Sequence, residues 1–322
     1  MNSVLVCGAG GFIGSHLVTD LKKQGKTVIG VDLKYPEFSK TNADNFIIGD
    51  LRNRSFVDDI FKHDFSEVYQ LAADMGGAGF IFTGNNDADI MFNSATINLN
   101  ICNAMLLSNT RKIFYASSAC VYPVDKQISI KNLDLAEDVA YPANPDSEYG
   151  WEKIFSERLY SSFAKNYDFD VRIARLHNVF GPEGTWKGGR EKVPAALCRK
   201  IIESKTGDVE IWGSGNQTRS FLYINECIKG IHKLVESDFK LPINLGSDFL
   251  ISINDLAYLI ANIANKHIKI KNIPGPTGVN ARCSNNDLIK KKLNWTPDSN
   301  LRYGLNKTYN WIYDQSILNE NK

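Results

Sequence analysis

The chain has no CxxC pair, very little net charge and no run of apolar residues long enough to span a bilayer, and each absence removes a class of protein. Six cysteines (Cys7, Cys102, Cys120, Cys198, Cys227 and Cys283) are scattered over 322 residues without a regular framework. That spacing argues against structural zinc and against a disulfide-stapled secreted domain, so no metal and a reducing, cytoplasmic setting are expected. The opening stretch MNSVLVCGAG runs into a Gly-rich turn without the basic region, apolar segment and cleavage site of a signal peptide. Lys and Arg total 37 against 36 Asp and Glu, a formal charge of +1. No global field then draws nucleic acid or a membrane surface, and an anionic ligand must be met by local positive charge. There is no internal repeat and no low-complexity tract.

What is present is a rhythm. Short apolar runs (SVLVCGA, KTVIGVD, SEVYQLAAD, RKIFYASS) alternate with helix-period segments such as FIGSHLVTDLKKQG and ATINLNICNAMLLSN. Continuously apolar strands separated by helices predict an α/β fold, a doubly wound parallel sheet covered on both faces. From about Val171 the text grows richer in Gly and charge, and helical patterns follow in VPAALCRKIIES and INDLAYLIANIANK. The lobe boundary is placed near residue 176, with 1–176 as the nucleotide-binding lobe and 177–322 as a smaller C-terminal α/β substrate lobe. The helix-to-strand segment 219–248 is expected to return to the first lobe, and the polar tail after about Leu318 to fray.

GAGGFIG, with Gly8, Gly11 and Gly14, lies between a predicted first strand and a helix starting near Phe12 and Ile13. This is the place of a Rossmann turn, where glycines let the backbone approach a pyrophosphate and the helix N-terminus stabilises its charge. Asp32 ends the second predicted strand, where a carboxylate can take the adenosine ribose hydroxyls and repel a 2′-phosphate. NAD is therefore favoured over NADP, although Lys34 two positions on weakens the preference. Asp50, followed by Leu51, ends a third strand and reads from the residues alone equally well as a loop cap.

Tyr149 and Lys153 stand four apart, which places phenol and ammonium on one helical face. A free tyrosine titrates near ~10 and needs help to accept a proton at neutral pH. A neighbouring ammonium, together with an oxidised nicotinamide, supplies it. Ser118, at the end of RKIFYASS, is the natural third member, donating to a substrate hydroxyl or its ketone. With the glycine turn upstream, the chain resembles the extended short-chain dehydrogenase/reductases from end to end.

The residues after Ser118 narrow that resemblance. Dehydratases of the family typically carry an Asp-Glu pair there; this chain has Ala119 and Cys120. The stretches YASSACVYP, LAADMGGAGF, HNVFGPEGTWKGGREK, NQTRSF and IPGPTGV resemble the GDP-mannose 3,5-epimerase family within that group. The resemblance implies a GDP-sugar substrate, a homodimer, Asp50 near the adenine, and Cys120 with Lys192 as the epimerising acid/base pair. It also implies substrate contacts at Ser118, Ala119, Asn178, Glu191, Lys200, Gln217, Arg219 and Arg282, with Arg282 the better candidate for the diphosphate. Lys187, Arg190 and Lys200 compete for that diphosphate, and Lys192 by itself reads as a solvated or phosphate-binding lysine more often than as an acid. His177 reads as a structural histidine. Ala78 stands where plant-like members tend to carry Met, so a deoxyhexose or heptose stays open beside mannose. The rival readings are an epimerase-reductase like GDP-fucose synthase, which pairs its Cys with a His and consumes NADPH, a UDP-sugar 4-epimerase, and a non-catalytic dinucleotide sensor.

Overall fold

Strand β1 (Ser3–Cys7) contains Val4, Leu5, Val6 and Cys7, all fully buried, as a central strand covered on both faces demands. A computed structural model describes residues 3–130, 133–298 and 300–320. In it β1 is flanked by β2 (Thr27–Asp32) and β3 (Asn45–Ile48) on one side. On the other side lie β4 (Glu67–Gln70), β5 (Lys112–Ser118), β6 (Asp170–Leu176) and β7 (Ile243–Leu245). The order is β7-β6-β5-β4-β1-β2-β3, and every pairing is parallel. The strand order reverses between β1 and β4, so a crevice opens at their carboxyl ends, the usual ligand site of such sheets.

Helix α1 (Phe12–Lys23) covers one face with Leu17, Val18 and Leu21. The opposite face is covered by α2 (Asp87–Leu107) and α3 (Glu148–Tyr167). By length and composition α2 is apolar enough to cross a membrane, contrary to the expectation from the sequence. Its Ile97, Ile101, Cys102 and Met105 are buried against the sheet, which accounts for that composition. Ser147 caps α3 by accepting a hydrogen bond from the Gly150 amide at 3.3 Å.

The second lobe has its own core, built by α4 (Val193–Glu203) with the helices Ile253–Ile263 and Leu301–Glu320. Thr218–Ser220 pairs there with Leu250–Ser252 and Ala281–Arg282, whereas β7 lies in the large sheet. The chain therefore crosses between lobes after residue 220. The final helix continues to Glu320, past the point where fraying is expected; Asn321 and Lys322 lie outside the described residues.

One buried ion pair ties β6 to α3. Arg175 donates from Nε and Nη2 to the two oxygens of Glu157 at 2.9 and 2.8 Å, and from Nη1 to the Glu137 carbonyl at 2.7 Å. Ser117 also donates to Glu157. Removing one partner strands a buried charge, so Arg175→Met is expected to lower stability by about 3–5 kcal/mol. Adding Glu157→Leu should restore most of the loss in denaturant titrations; no recovery in the double variant would show that packing, not the stranded charge, sets the cost.

Candidate active site

The crevice is a cleft of about 930 Å³ running from the glycine turn to the second lobe. Its cofactor end is shaped by the absence of side chains. Gly8 has φ +82°, and a Cβ there would lie 2.7 Å from the Ala72 amide nitrogen; one on Gly14 would lie 2.0 Å from the Gly8 carbonyl oxygen. The turn thus packs onto β4 and α1 with backbone alone, leaving the α1 N-terminus open to a pyrophosphate. Asp32 accepts from the amides of Gly10 at 2.9 Å and Leu33 at 2.7 Å, which holds its carboxylate at the cleft wall. Lys34 pairs at the surface with Glu37. These features fit NAD. Asp50 is clasped by Arg52 through Nε and Nη2, and the guanidinium bond holds its carboxyl below the ordinary value. It lines the cleft beside Leu51, Phe12, Ile13 and Gly11, so its residues combine a loop brace with a place at the cofactor end.

Tyr149 and Lys153 emerge from the first turns of α3 toward Ser118 at the tip of β5. The Lys153 ammonium donates to the Ala116 carbonyl at 3.0 Å and stands 5.6 Å from the Tyr149 ring centre. Burial pushes the Tyr149 phenol well above its ordinary value; negative charge at Cys120 adds to this and a hydrogen bond with Ser118 opposes it. Burial likewise lowers Lys153, despite Glu152. The lowering of Tyr149 expected from its lysine is therefore not achieved by the protein groups, because desolvation outweighs the opposing influences of Ser118 and Arg282.

Cys120 sits in a short 3₁₀ turn (Ala119–Val121) whose first amide bonds are capped by Ser118 Oγ, which accepts from the Cys120 amide at 3.2 Å. The turn touches α3 so closely that a Cβ on Gly150 would fall 2.2 Å from the Cys120 carbonyl oxygen. The thiol meets Arg282, whose Nη1 lies 3.1 Å from the sulfur. Arg282 is fixed from two further sides, Nε donating to Gln127 at 2.6 Å and Nη2 to Asp146 at 2.7 Å. Burial disfavours its charge, but Cys120 and Asp146 outweigh burial and hold Arg282 above its ordinary value. Lys192, the residue just before α4, also faces this chamber; burial pulls its ammonium below the usual range, and Cys120 and Cys227 pull the other way.

The remaining sequence-derived residues line the same cleft, Ala119 among them. Asn178, at φ 41°, donates to the Ser220 carbonyl at 2.9 Å. Glu191 accepts from Arg199 at 3.0 Å and from the Gly189 amide at 2.6 Å. Lys200 donates to the Glu210 carbonyl at 2.7 Å, and Gln217 to that of Trp212 at 3.1 Å. Arg219 spends its donors on the carbonyls of Thr218, Thr277 and Val279, and burial with neighbouring Arg282 brings it down to about 10. Lys187 lies over the Trp186 ring and is not among the lining residues. Gly10, Gln127, Asp146 and Gly150 were not marked by sequence reasoning. The two glycines adjoin recognised motifs and could have been found there; Gln127 and Asp146 lie 155 and 136 positions from Arg282, with no local signal.

This combination of glycine turn, Ser-Tyr-Lys set and a Cys and a Lys lining one cleft defines a class, and comparison with known proteins agrees. The model of the NAD dependent epimerase/dehydratase family matches residues 4–246, and the chain belongs to that family. It is 44% identical over 316 residues to GDP-mannose 3,5-epimerase of Arabidopsis thaliana, covering 97% of this chain and 82% of the relative. The same figures hold for GDP-mannose 3,5-epimerase 1 of Oryza sativa subsp. japonica. Among solved structures, UDP-glucose 4-epimerase of Thermotoga maritima shares the fold at TM-score 0.87 and 23% identity, over 98% of this chain and 99% of that one. The chain is thus an enzyme of the NAD-dependent sugar-nucleotide epimerase type.

His177 is buried behind this site. Its Nε2 lies 2.9 Å from Asn244 Oδ1, an acceptor, so Nε2 carries the proton, and Nδ1 has no partner among the described residues. Burial lowers its pKa from 6.5 to about 3, Arg282 and Arg175 acting in the same direction. The unfolded chain therefore takes up this proton first, and the contribution of neutral His177 to stability is full above about 6.5 and lost as pH falls toward 3. Thermal melts across that window should fall less steeply for His177→Gln than for the wild type; parallel slopes would remove His177 from the acid sensitivity.

Proposed function

We propose that the chain inverts C3, C5 or both in a GDP-linked mannose-type sugar. The observation that carries the reading is the position of Cys120, close enough to act electrostatically on both Tyr149 and Lys192 and set against the Arg282 guanidinium. Ser118 and Tyr149 hold the sugar O4, and Tyr149 takes its proton. Bound NAD supplies a reversible acceptor for the C4 hydrogen, which is later returned. The positive charge of the oxidised nicotinamide is the remaining influence that favours Tyr149 phenolate, and Lys153 orients the ribose.

A ketone at C4 acidifies the protons on C3 and C5, and inversion then needs a base on one face and an acid on the other. Cys120 serves as the base, its sulfur accepting from Arg282 Nη1 at 3.1 Å. Lys192 serves as the acid, since burial eases release of its proton. Arg282, held by Gln127 and Asp146 against the sulfur, supports the thiol, and with Arg219 and Lys200 it is one of the cations along the second-lobe wall that can face the diphosphate. A Cys-His reductase is disfavoured because His177 bonds Asn244 and lies outside the cleft lining.

The same reading includes a homodimer, because Phe92 and Leu99 on α2 and Trp151 and Phe155 on α3 are 69%, 47%, 39% and 44% exposed. Apolar side chains exposed on two packed helices mark an association surface. A reducing, cytoplasmic setting completes it, all six cysteines being free; cell fractionation checks this.

With GDP-mannose in heavy water, deuterium should enter C3 or C5. Absence of label, with folded and NAD-loaded enzyme, would sink the reading for that substrate, and GDP-deoxyhexose and GDP-heptose then test the sugar. Cys120→Ser should lower exchange by roughly 10²-fold or more while retaining C4 oxidation. Unchanged exchange would strip Cys120 of its role. Sedimentation should give a dimer for the wild type and a monomer for Phe92→Glu, and a monomeric wild type would end the dimer proposal.

A further inference from the structure

Lys192 sits at the end of a segment that has little to hold it. Upstream, Gly188 and Gly189 have φ values of 93° and 88° and open space where side chains would stand. Downstream, α4 begins at Val193. Among the described residues, the hydrogen bonds that fix the stretch between these points are made by residues 190 and 191. We infer that Arg190 is a positioning residue, clamping this second-lobe segment onto the first lobe so that Lys192 is aimed at the sugar. The inference rests on the epimerase reading.

The clamp is made through four contacts. The Arg190 guanidinium lies 3.8 Å from the centre of the Phe80 ring, well inside cation–π range. Its Nη1 is 3.3 Å from Asp74 Oδ1 and 3.5 Å from the Met75 carbonyl oxygen. Its own carbonyl accepts from the Gly77 amide at 3.0 Å. Asp74 is in turn anchored to α2, its Oδ2 accepting from Asn93 at 3.0 Å and its amide donating to Ser94 at 3.1 Å. Phe80 packs with Cys120 and Tyr149 in one apolar cluster. The clamp therefore joins the lysine-bearing segment to the wall that carries the thiol and the phenol. An exposed ion pair of this kind contributes little to stability by itself. Its effect here is on distance and direction, to which proton transfer is far more sensitive.

Arg190→Ala, Arg190→Lys and Asp74→Asn are compared with the wild type, reading C4 oxidation as nicotinamide absorbance and proton transfer as deuterium incorporation. Arg190→Ala should lower incorporation about tenfold or more, while C4 oxidation and KM change by less than about threefold. Arg190→Lys, which keeps the charge facing Asp74, should recover part of the loss. Asp74→Asn should also lose incorporation, and the Arg190→Ala/Asp74→Asn double variant should be no worse than Arg190→Ala, as expected of two residues in one clamp. Equal losses of oxidation and incorporation, or no loss of either, would overturn the role. If Arg190→Ala fails to fold, Asp74→Asn gives the same reading. A wild type without incorporation refutes the epimerase reading itself, which separates the two failures.

Discussion

The chamber is organised around the contact between the Arg282 guanidinium and the Cys120 sulfur, which joins the two lobes at the point of chemistry. Arg282 belongs to the short strand Ala281–Arg282, paired with Thr218–Ser220 in the second lobe, while Cys120, Gln127 and Asp146 belong to the first. Arg219 is its register partner, so two guanidiniums lie side by side. Asp146 offsets their repulsion, and without it the positive charge beside the thiol would be unbalanced.

Desolvation dominates the electrostatics of this cleft. The chain has almost no net charge, yet Tyr149, Lys153 and Lys192 are each displaced by burial toward their neutral forms. Burial thus eases release of a proton from Lys153 and Lys192, whereas the raised Tyr149 depends on the charge of an oxidised nicotinamide before it can take one. Where a full charge is needed in the interior it is paired, as with Arg175 and Glu157.

The parts legible in the sequence were those whose chemistry is local. The glycine turn lies within seven residues, Tyr149 and Lys153 within one helical turn, and Ser118 with Cys120 on one strand end. From the residues alone the basic stretch after Trp186 was recognisable as a cluster, and Lys192 was singled out in it by the family resemblance. Lys187 turns to Trp186, Arg190 to Phe80 and Asp74, and Lys192 alone of the three faces Cys120. Neighbours in an extended segment point in different directions, and only the opposing wall decides which direction leads into the cleft. The apolar length of α2 was likewise misread, because composition does not tell a helix buried on a sheet from one long enough to cross a bilayer.

By itself the sequence determined an α/β sheet, a dinucleotide turn and a redox set, because each rests on periodicities and spacings shorter than one element. The tertiary structure decided that Arg282 meets the thiol, that Gln127 and Asp146 hold it there, and that burial raises the Tyr149 phenol. Those outcomes depend on which distant segments are brought within hydrogen-bond reach and how much water they exclude, and neither quantity is written in any local stretch of the chain.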